Sequence, residues 1–392
     1  MEKNDKTLYS IIVEYIKDKI NSGVFLPEQQ IPTEMHLAHQ FKVSRITSKR
    51  ALVELERDGI IIRKKGSGSF VKAKIKAKEN EINSSKIISI ILPFEYSYGK
   101  LMKTITGVSD YIQGKGYFLD IQNGLDQFDE GKDFLSNISE GKIKGIIYYP
   151  LSDRTNMEFL TNLYMNEFPI VTIDKYFESL PISYVVSDNY AGSYEMTKYL
   201  IELGHKKIAY VSNVGIEDAT SVRNRYMGYC RALKDNSIMI DSEVIILNYE
   251  EKIKQIDMNF YEETRSIKPI SNPKNKKFFK DIIRKLMQQG ATAIQCVNDI
   301  TAIYILKVCL EMKIDIPNQL SIVGFDNTEL SEHLEVPLTT VEQDFYNIGR
   351  KSAEILIKNI EMGKYEYQKE ILPVSLIKRQ SSGIIRRDKL IV

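Results

Sequence analysis

Residues 31–71 read IPTEMHLAHQFKVSRITSKRALVELERDGIIIRKKGSGSFV. Several local signals follow one another in this stretch. Pro32 and Thr33 open a short helix expected to pack through Met35, Leu37, Ala38 and Phe41. The turn Phe41-Lys42-Val43 leads to Ser44, a residue suited to accept backbone N–H groups at a helix start. A further helix runs to about Asp58, where Gly59 stops it. Ile60–Lys65, Gly66-Ser67-Gly68 and Ser69–Val71 spell a strand, a glycine turn and a return strand.

Upstream, Leu8, Ile11, Ile12, Tyr15, Ile16 and Ile20 recur every three or four residues and form one apolar stripe on a helix, which Gly23 and Pro27 end. Three helices and a hairpin in this order make a winged helix-turn-helix. On a helical wheel of ~100° per residue, Ser48, Ala51, Leu52 and Leu55 share the buried side of the third helix, and Ile46, Lys49, Arg50 and Val53 point away. An exposed face carrying paired cations near a helix N-terminus can enter a major groove. Arg45 and Thr47 lie in the first turn, where backbone N–H groups and the helix dipole favour phosphate. Lys64 and Lys65 stand beside two glycines that allow close approach to a nucleic-acid backbone. The plain alternative is a helical cap with solvated Lys and Arg. The order of cap, stop, turn and wing weighs against it.

Charge is divided in the same way. Residues 1–80 hold 16 Lys+Arg against 10 Asp+Glu, and the remaining chain holds 38 against 42. A basic head on a mildly acidic body implies a polyanion partner for the head alone. Overall, 43% hydrophobic and 27% charged residues in 392 is a globular mixture of two or three domains, neither disordered nor collagen-like. No run of about 18 apolar residues marks a membrane span. Charges interrupt the apolar positions of the N-terminus, so no secretory signal is expected and the cytoplasm is the expected compartment. Cys230, Cys296 and Cys309 contain no CxxC and imply neither a disulfide framework nor a zinc site. The four histidines (His36, His39, His205 and His333) imply no metal cluster. Residues 73–85 are charged and poor in apolar residues, and read as a linker.

From Lys86 the rhythm becomes alternating β and α. Ile87–Leu92, Tyr117–Gln122, Gly145–Tyr149, Pro169–Ile173, Lys207–Ser212, Val244–Leu247, Ala293–Val297 and Leu320–Phe325 read as strands. Leu101–Lys115, a stretch up to Gly141, Tyr190–Leu203, Arg225–Asn236, Phe278–Gln289 and Ile300–Met312 read as helices. Near-continuous apolar strands separated by helices predict parallel sheets covered on both faces, here as two lobes. A ligand is expected where the strand C-terminal ends of both lobes meet. Asp174, the pair Asn298 and Asp299, and Asp326 each follow a strand. Each alone can simply cap the next helix. Converging on one cleft with Arg225, they can bind a polyol through its hydroxyls. The charged stretch Glu250–Lys277 receives no assignment.

The head motifs Ile31-Pro32-Thr33-Glu34, Val43-Ser44-Arg45-Ile46-Thr47, Ala51-Leu52, Asp58-Gly59 and Gly66-Ser67-Gly68-Ser69-Phe70-Val71 resemble the GntR-family DNA-binding domain. This resemblance implies contacts to DNA from Glu34, Ser44, Arg45, Thr47, Lys49 and the wing Gly66–Gly68. With the residue reading, the DNA-binding set is Glu34, Ser44, Arg45, Thr47, Lys49, Arg50, Lys65, Gly66 and Gly68. Ser48 stands where the family usually has Val, and Lys49 where it usually has Arg. Lysine lacks the planar bidentate fork, so base reading there is softer.

The body motifs Val186-Ser187-Asp188-Asn189, Leu203-Gly204-His205-Lys206-Lys207-Ile208-Ala209, Arg225-Tyr226-Met227-Gly228-Tyr229, Ile322-Val323-Gly324-Phe325-Asp326, Leu338-Thr339-Thr340-Val341 and Arg379-Gln380-Ser381-Ser382 resemble the LacI/GalR effector domain. That fold is itself similar to periplasmic sugar-binding proteins. The resemblance implies a ligand set of Asp174, Arg225, Asn298, Asp326 and Gln343, with Tyr96 and Tyr98 as aromatics in the first βα loop. It implies a structural role for His205.

The expected fold class is α/β. Residues 1–72 form the winged helix-turn-helix, 73–85 the linker and 86–392 the periplasmic-binding-protein-like domain. Lobe 1 takes about 86–187 and 343–371, and lobe 2 about 188–342 and 372–392. A GntR-type head on a LacI/GalR-type body resembles the arabinose-repressor family. The combination implies a homodimeric sugar-responsive repressor that binds double-stranded operator DNA, is released by a small carbohydrate (L-arabinose), uses no cofactor and touches no membrane. Alternatives are a regulator responding to another sugar or a nucleoside, an activator, and a transport-type sugar-binding protein. The missing GxxxxGK[ST], the missing GxGxxG after a strand and the lack of a Ser/His/Asp set argue against an enzyme.

Overall fold

The computed structural model describes residues 8–21, 24–26, 28–64, 67–72, 86–93, 98–123, 142–152, 156–256 and 273–385. The chain divides into two compact units, Met1–Ser84 and Ser85–Val392. Among the described residues, no helix is long and apolar enough to cross a membrane.

In the first unit, helices Leu8–Asn21, Glu34–Phe41 and Arg45–Arg57 precede the antiparallel strands β1 (Ile61–Lys64) and β2 (Gly68–Val71). Ile12, Ile16, Leu37, Ala51, Leu52, Leu55, Ile61 and Val71 close one core. Two sequence expectations need correction here. The stripe on the first helix is centred on Ile12, Val13 and Ile16, and Leu8 at its end is 60% exposed. Met35 is 69% exposed and does not pack. It lies about 200° around the helix from Leu37, which together with Phe41 defines the inner side. Gly23 and Pro27, expected to end the first helix, lie outside the described residues.

The wing is broader than a hairpin. Glu28 N donates to Val71 O (3.0 Å), Val71 N to Gln29 O (2.9 Å) and Ile31 N to Ser69 O (2.9 Å), so residues 28–31 add a short third strand. Gly68 holds a φ of 109°, and a Cβ there would stand 2.5 Å from Gln30 Nε2. That amide donates to Ser67 O at 2.9 Å. Only glycine satisfies both the backbone angle and the space.

The second unit contains two parallel sheets. One has six strands in the order β13-β7-β6-β5-β3-β4, with β3 Lys86–Leu92, β4 Tyr117–Asn123, β5 Ile143–Tyr148, β6 Ile170–Ile173, β7 Ser183–Ser187 and β13 Lys369–Leu372. The other has four in the order β11-β10-β8-β9, with β8 Ile208–Val211, β9 Ile245–Ile246, β10 Ala293–Cys296 and β11 Ser321–Val323. Strands β12 (Thr340–Glu342) and β14 (Ser375–Ile377) pair antiparallel beside them. The chain passes between sheets at Asp188, at 343–344 and at 373–374, and Asp188 N donates to Leu372 O at 2.8 Å. The helical stretch expected before Gly141 lies outside the described residues. The unassigned charged stretch opens as a helix, Tyr249–Ile256, and residues 257–272 lie outside the description.

Helices Tyr98–Ile112 and Phe345–Met362 cover one face of the six-stranded sheet and meet backbone to backbone. A Cβ on Gly107 would overlap the carbonyl oxygen of Tyr346, and one on Gly349 would overlap that of Thr104. Two facing glycines therefore set the separation of these helices.

Candidate nucleic-acid interface and ligand cleft

In the head, Ser44 caps the third helix: its hydroxyl accepts from Thr47 N at 3.2 Å and lies 2.9 Å from Thr47 Oγ1. Ser48 is fully buried and donates to Glu34 O (2.8 Å) and Arg45 O (3.0 Å), which fastens the second helix to the start of the third. A valine could not make those bonds. Ile46 is 80% exposed, and Lys49 and Arg50 stand on the same outer side. Lys49 makes no ion pair among the described residues. Arg50 lies over the Tyr9 ring at 4.3 Å, which restrains its swing.

Glu34 sits between two cations. Its carboxylate lies 3.2 Å from Arg45 Nε and 2.5 Å from Arg63 Nη2. It thereby joins the first turn of the third helix to the wing strand β1. Lys64 is placed over the Phe70 ring at 5.1 Å. Lys65 and Gly66 lie outside the described residues. The result is an exposed cationic helix face beside a braced wing, with Lys49 unpaired among the described residues and Arg45 shared with the Glu34 carboxylate.

In the second unit, the strand ends bring together Asp174 after β6, Arg225 on the Thr220–Asp235 helix, Asp326 beyond β11 and Gln343 after β12. All four are buried. Arg225 uses its whole fork. Nε donates to Asn189 Oδ1 (2.8 Å), Nη1 to Val297 O (2.7 Å) and Nη2 to Asp326 Oδ1 (3.4 Å). The guanidinium lies 3.8 Å from the Phe325 ring centre. Gln343 Nε2 donates to Asp326 Oδ1 at 2.6 Å. Asp174 receives Lys175 Nζ at 2.7 Å.

The backbone is strained at both carboxylates. Asp174 has φ 67°, Asp326 120° and Asn327 49°, values that L-residues keep only where surroundings enforce them. Asp326 N is held by Val341 O at 2.8 Å. Asn327 donates through Nδ2 to Glu342 (3.1 Å) and accepts from Arg379 Nη2 (2.9 Å).

Burial alone would raise the Asp174 carboxyl, but Lys175, Lys100 and Arg225 hold it at about 2. Tyr149, at the end of β5, is pushed well above the usual phenol range by burial, then by Asp174 and Asp326. Asn298 caps the Asp299–Glu311 helix through Thr301 N at 2.9 Å, the capping alternative that its position leaves open. Asp299 lies behind the cleft, accepting from Thr340 Oγ1 (2.5 Å), Thr328 N (2.7 Å) and Thr328 Oγ1 (3.1 Å). Burial, with Asp326 adding to it, raises Asp299 to about 7.

Tyr96 lies outside the described residues, and Tyr98 begins a helix with its side chain undescribed. The described aromatic walls are Tyr149, Phe325 and Phe345. His205 is buried between Thr292 Oγ1 (2.9 Å) and Gly383 O (3.2 Å), with burial lowering its pKa, so its role is structural.

Lys100, Tyr149 and Lys175 belong to this cluster without having been singled out in the sequence, and Asn189 was quoted there within a motif and not as a site residue. Tyr149 and Lys175 were within reach of the strand-end rule that finds Asp174. Lys100, in the first turn of its helix, carries no sequence signal. The cleft is closed on itself: Lys100 reaches Asp326 across the lobes at 3.6 Å, Tyr176 N donates to Thr220 Oγ1 at 3.1 Å, and Arg223 meets Glu178 at 3.1 Å. An open cavity of ≈ 400 Å³ is lined by other residues: Gly99, Met102, Lys103, Thr106, Glu329 and Tyr346.

Comparison with known proteins follows this division. Residues 8–71 match the bacterial regulatory proteins of the gntR family. Residues 99–254 match the periplasmic binding proteins and sugar binding domain of the LacI family, and 197–382 match the periplasmic binding protein-like domain. The arabinose metabolism transcriptional repressor of Halalkalibacterium halodurans is 28% identical over 398 residues, covering 98% of this chain and 99% of that one. The HTH-type transcriptional repressor PurR of Vibrio atlanticus is 31% identical over 283 residues, covering 70% and 77%. The crystal structure of transcription regulator CcpA of Lactococcus lactis superposes with a TM-score of 0.61 at 21% identity, over 76% of this chain and 99% of that one. It has the same fold.

Proposed function

The chain belongs to the LacI-type family of transcriptional regulators, with a GntR-family head in place at its N-terminal end, and we propose that it is a cytoplasmic, dimeric repressor released from operator DNA by a small carbohydrate. L-Arabinose is the first candidate, supported by the full-length similarity to a repressor of arabinose metabolism. The observation that carries the reading is the buried set of Asp174, Arg225, Asp326 and Gln343 at facing strand ends. Two carboxylates, a guanidinium and an amide are donors and acceptors matched to vicinal hydroxyls. Sugar hydroxyls exchange with the internal pairs, Asp326 with Arg225 and Asp174 with Lys175, so the charges stay compensated while the lobes hold the ligand. No cofactor enters this scheme.

Linkage makes the effect reciprocal. A sugar that weakens operator binding is itself bound less tightly by the operator complex, by the same factor, typically about 1–3 kcal/mol. The test is operator binding by fluorescence anisotropy, with and without L-arabinose and a panel of other pentoses and hexoses. Affinity that falls with L-arabinose supports the full reading. Affinity that falls only with another sugar replaces the effector, and affinity indifferent to every sugar overturns it.

A further inference from the structure

Lys100 is the one cation of the cleft that lacks a hydrogen bond among the described residues. Its side chain is 15% exposed. Its ammonium lies 3.6 Å from Asp326 Oδ2, beyond hydrogen-bond length, and 5.9 Å and 5.7 Å from the ring centres of Tyr149 and Phe345. It also helps to hold Asp174 ionised. It therefore sits between the carboxylates of the two lobes, walled by two aromatic faces. The other cations are occupied: Lys175 bonds Asp174 and Arg225 has three acceptors. An ammonium has three N–H groups to offer, and that of Lys100, partly open to the surroundings, keeps them for a guest in the cleft.

We infer that Lys100 is an effector contact: it donates to an acceptor oxygen of the bound carbohydrate and sets which carbohydrates the cleft accepts. This rests on the reading of the cleft as the effector site and deepens it. An ammonium offers no acceptor, so it matches a ring oxygen, a carbonyl or an acid oxygen better than an additional donor. It also brings the cations of the cleft to three, Lys100, Lys175 and Arg225, against the carboxylates of Asp174 and Asp326, with the Asp299 carboxyl, raised by burial to about 7, behind them. The site thus admits a sugar bearing a negative charge, which a neutral site would reject on desolvation.

The experiment compares wild type, Lys100→Met and Lys100→Arg by calorimetry. The probes are L-arabinose, D-ribose and D-xylose, each beside its own aldonic acid, with operator affinity measured in parallel. Lys100→Met should weaken the neutral sugar that binds, and should weaken its acid about ten-fold more, equivalent to about 1.4 kcal/mol. Lys100→Arg should recover much of the acid binding. Equal losses for sugar and acid, no loss, tighter binding, or a wild type that binds the sugar but not its acid would each overturn the inference. A wild type that binds none of the probes overturns the reading of the cleft, and Lys100's role with it. A wild type that ignores L-arabinose but binds another probe leaves Lys100 tested on that probe.

Discussion

Arg225 Nη2 stands 3.4 Å from Asp326 Oδ1, and both groups are buried. Arg225→Ala strips a hydrogen bond from Asn189, from the Val297 carbonyl and from Asp326 at once. Leaving a buried charge without its partner costs about 3–5 kcal/mol. The expected outcome is a lowered melting temperature and a lost sugar response, with operator affinity retained by the separate head. A normal sugar titration by this variant would remove Arg225 from the ligand set.

Lys49 is exposed and unpaired among the described residues, so its truncation should leave folding untouched. Lys49→Ala is expected to weaken operator binding by about 1–3 kcal/mol if it meets a base edge. If it meets a phosphate, the slope of log affinity against log salt should fall by about one. Anisotropy across a salt series separates these outcomes, and unchanged affinity would exclude both.

Asp299 predicts a pH dependence of stability. Its pKa in the folded chain is about 7 against an ordinary 3.8, so between these values the folded state holds a proton that the unfolded state has released. Stability from this group is complete below the ordinary value and declines as pH rises toward 7, with a slope of up to about 1.4 kcal/mol per pH unit. Melting curves between pH 4.5 and 7.5 should show this decline in wild type and a flatter profile in Asp299→Asn. Parallel profiles would assign the wild-type slope to other groups.

Gly349→Ala places a methyl against the carbonyl oxygen of Thr104. The two helices must separate, which costs about 1–3 kcal/mol. Denaturant unfolding should report this loss, and an unchanged midpoint would mean that the helices yield without strain.

Much of the architecture was legible because its signals are local. Ser44 and Gly59 bracket the third helix, and the helical wheel separates Ser48, Ala51, Leu52 and Leu55 from the outer face, as the structure has them. The strands with continuous apolar runs, such as β3, were equally plain. Strand β13 reads Lys369-Glu370-Ile371-Leu372 and is half polar, since it lies at the sheet edge. It resembles a loop until its partner β7 is known. Met35 misled because an apolar residue on a short helix does not announce which side it takes. In the cleft, the strand-end rule found Asp174 and Asp326. Lys100 was invisible because its meaning depends on Asp326, more than two hundred residues away and on the other lobe.

The Glu34 carboxylate, shared by Arg45 and Arg63, has a mechanical corollary. Recognition helix and wing are coupled through this carboxylate and again where Arg63 N donates to Glu56 Oε1 at 3.3 Å, so neither adjusts its angle without disturbing the other. An operator must therefore supply the compliance, and base steps that flex easily will be favoured between the positions these two parts reach.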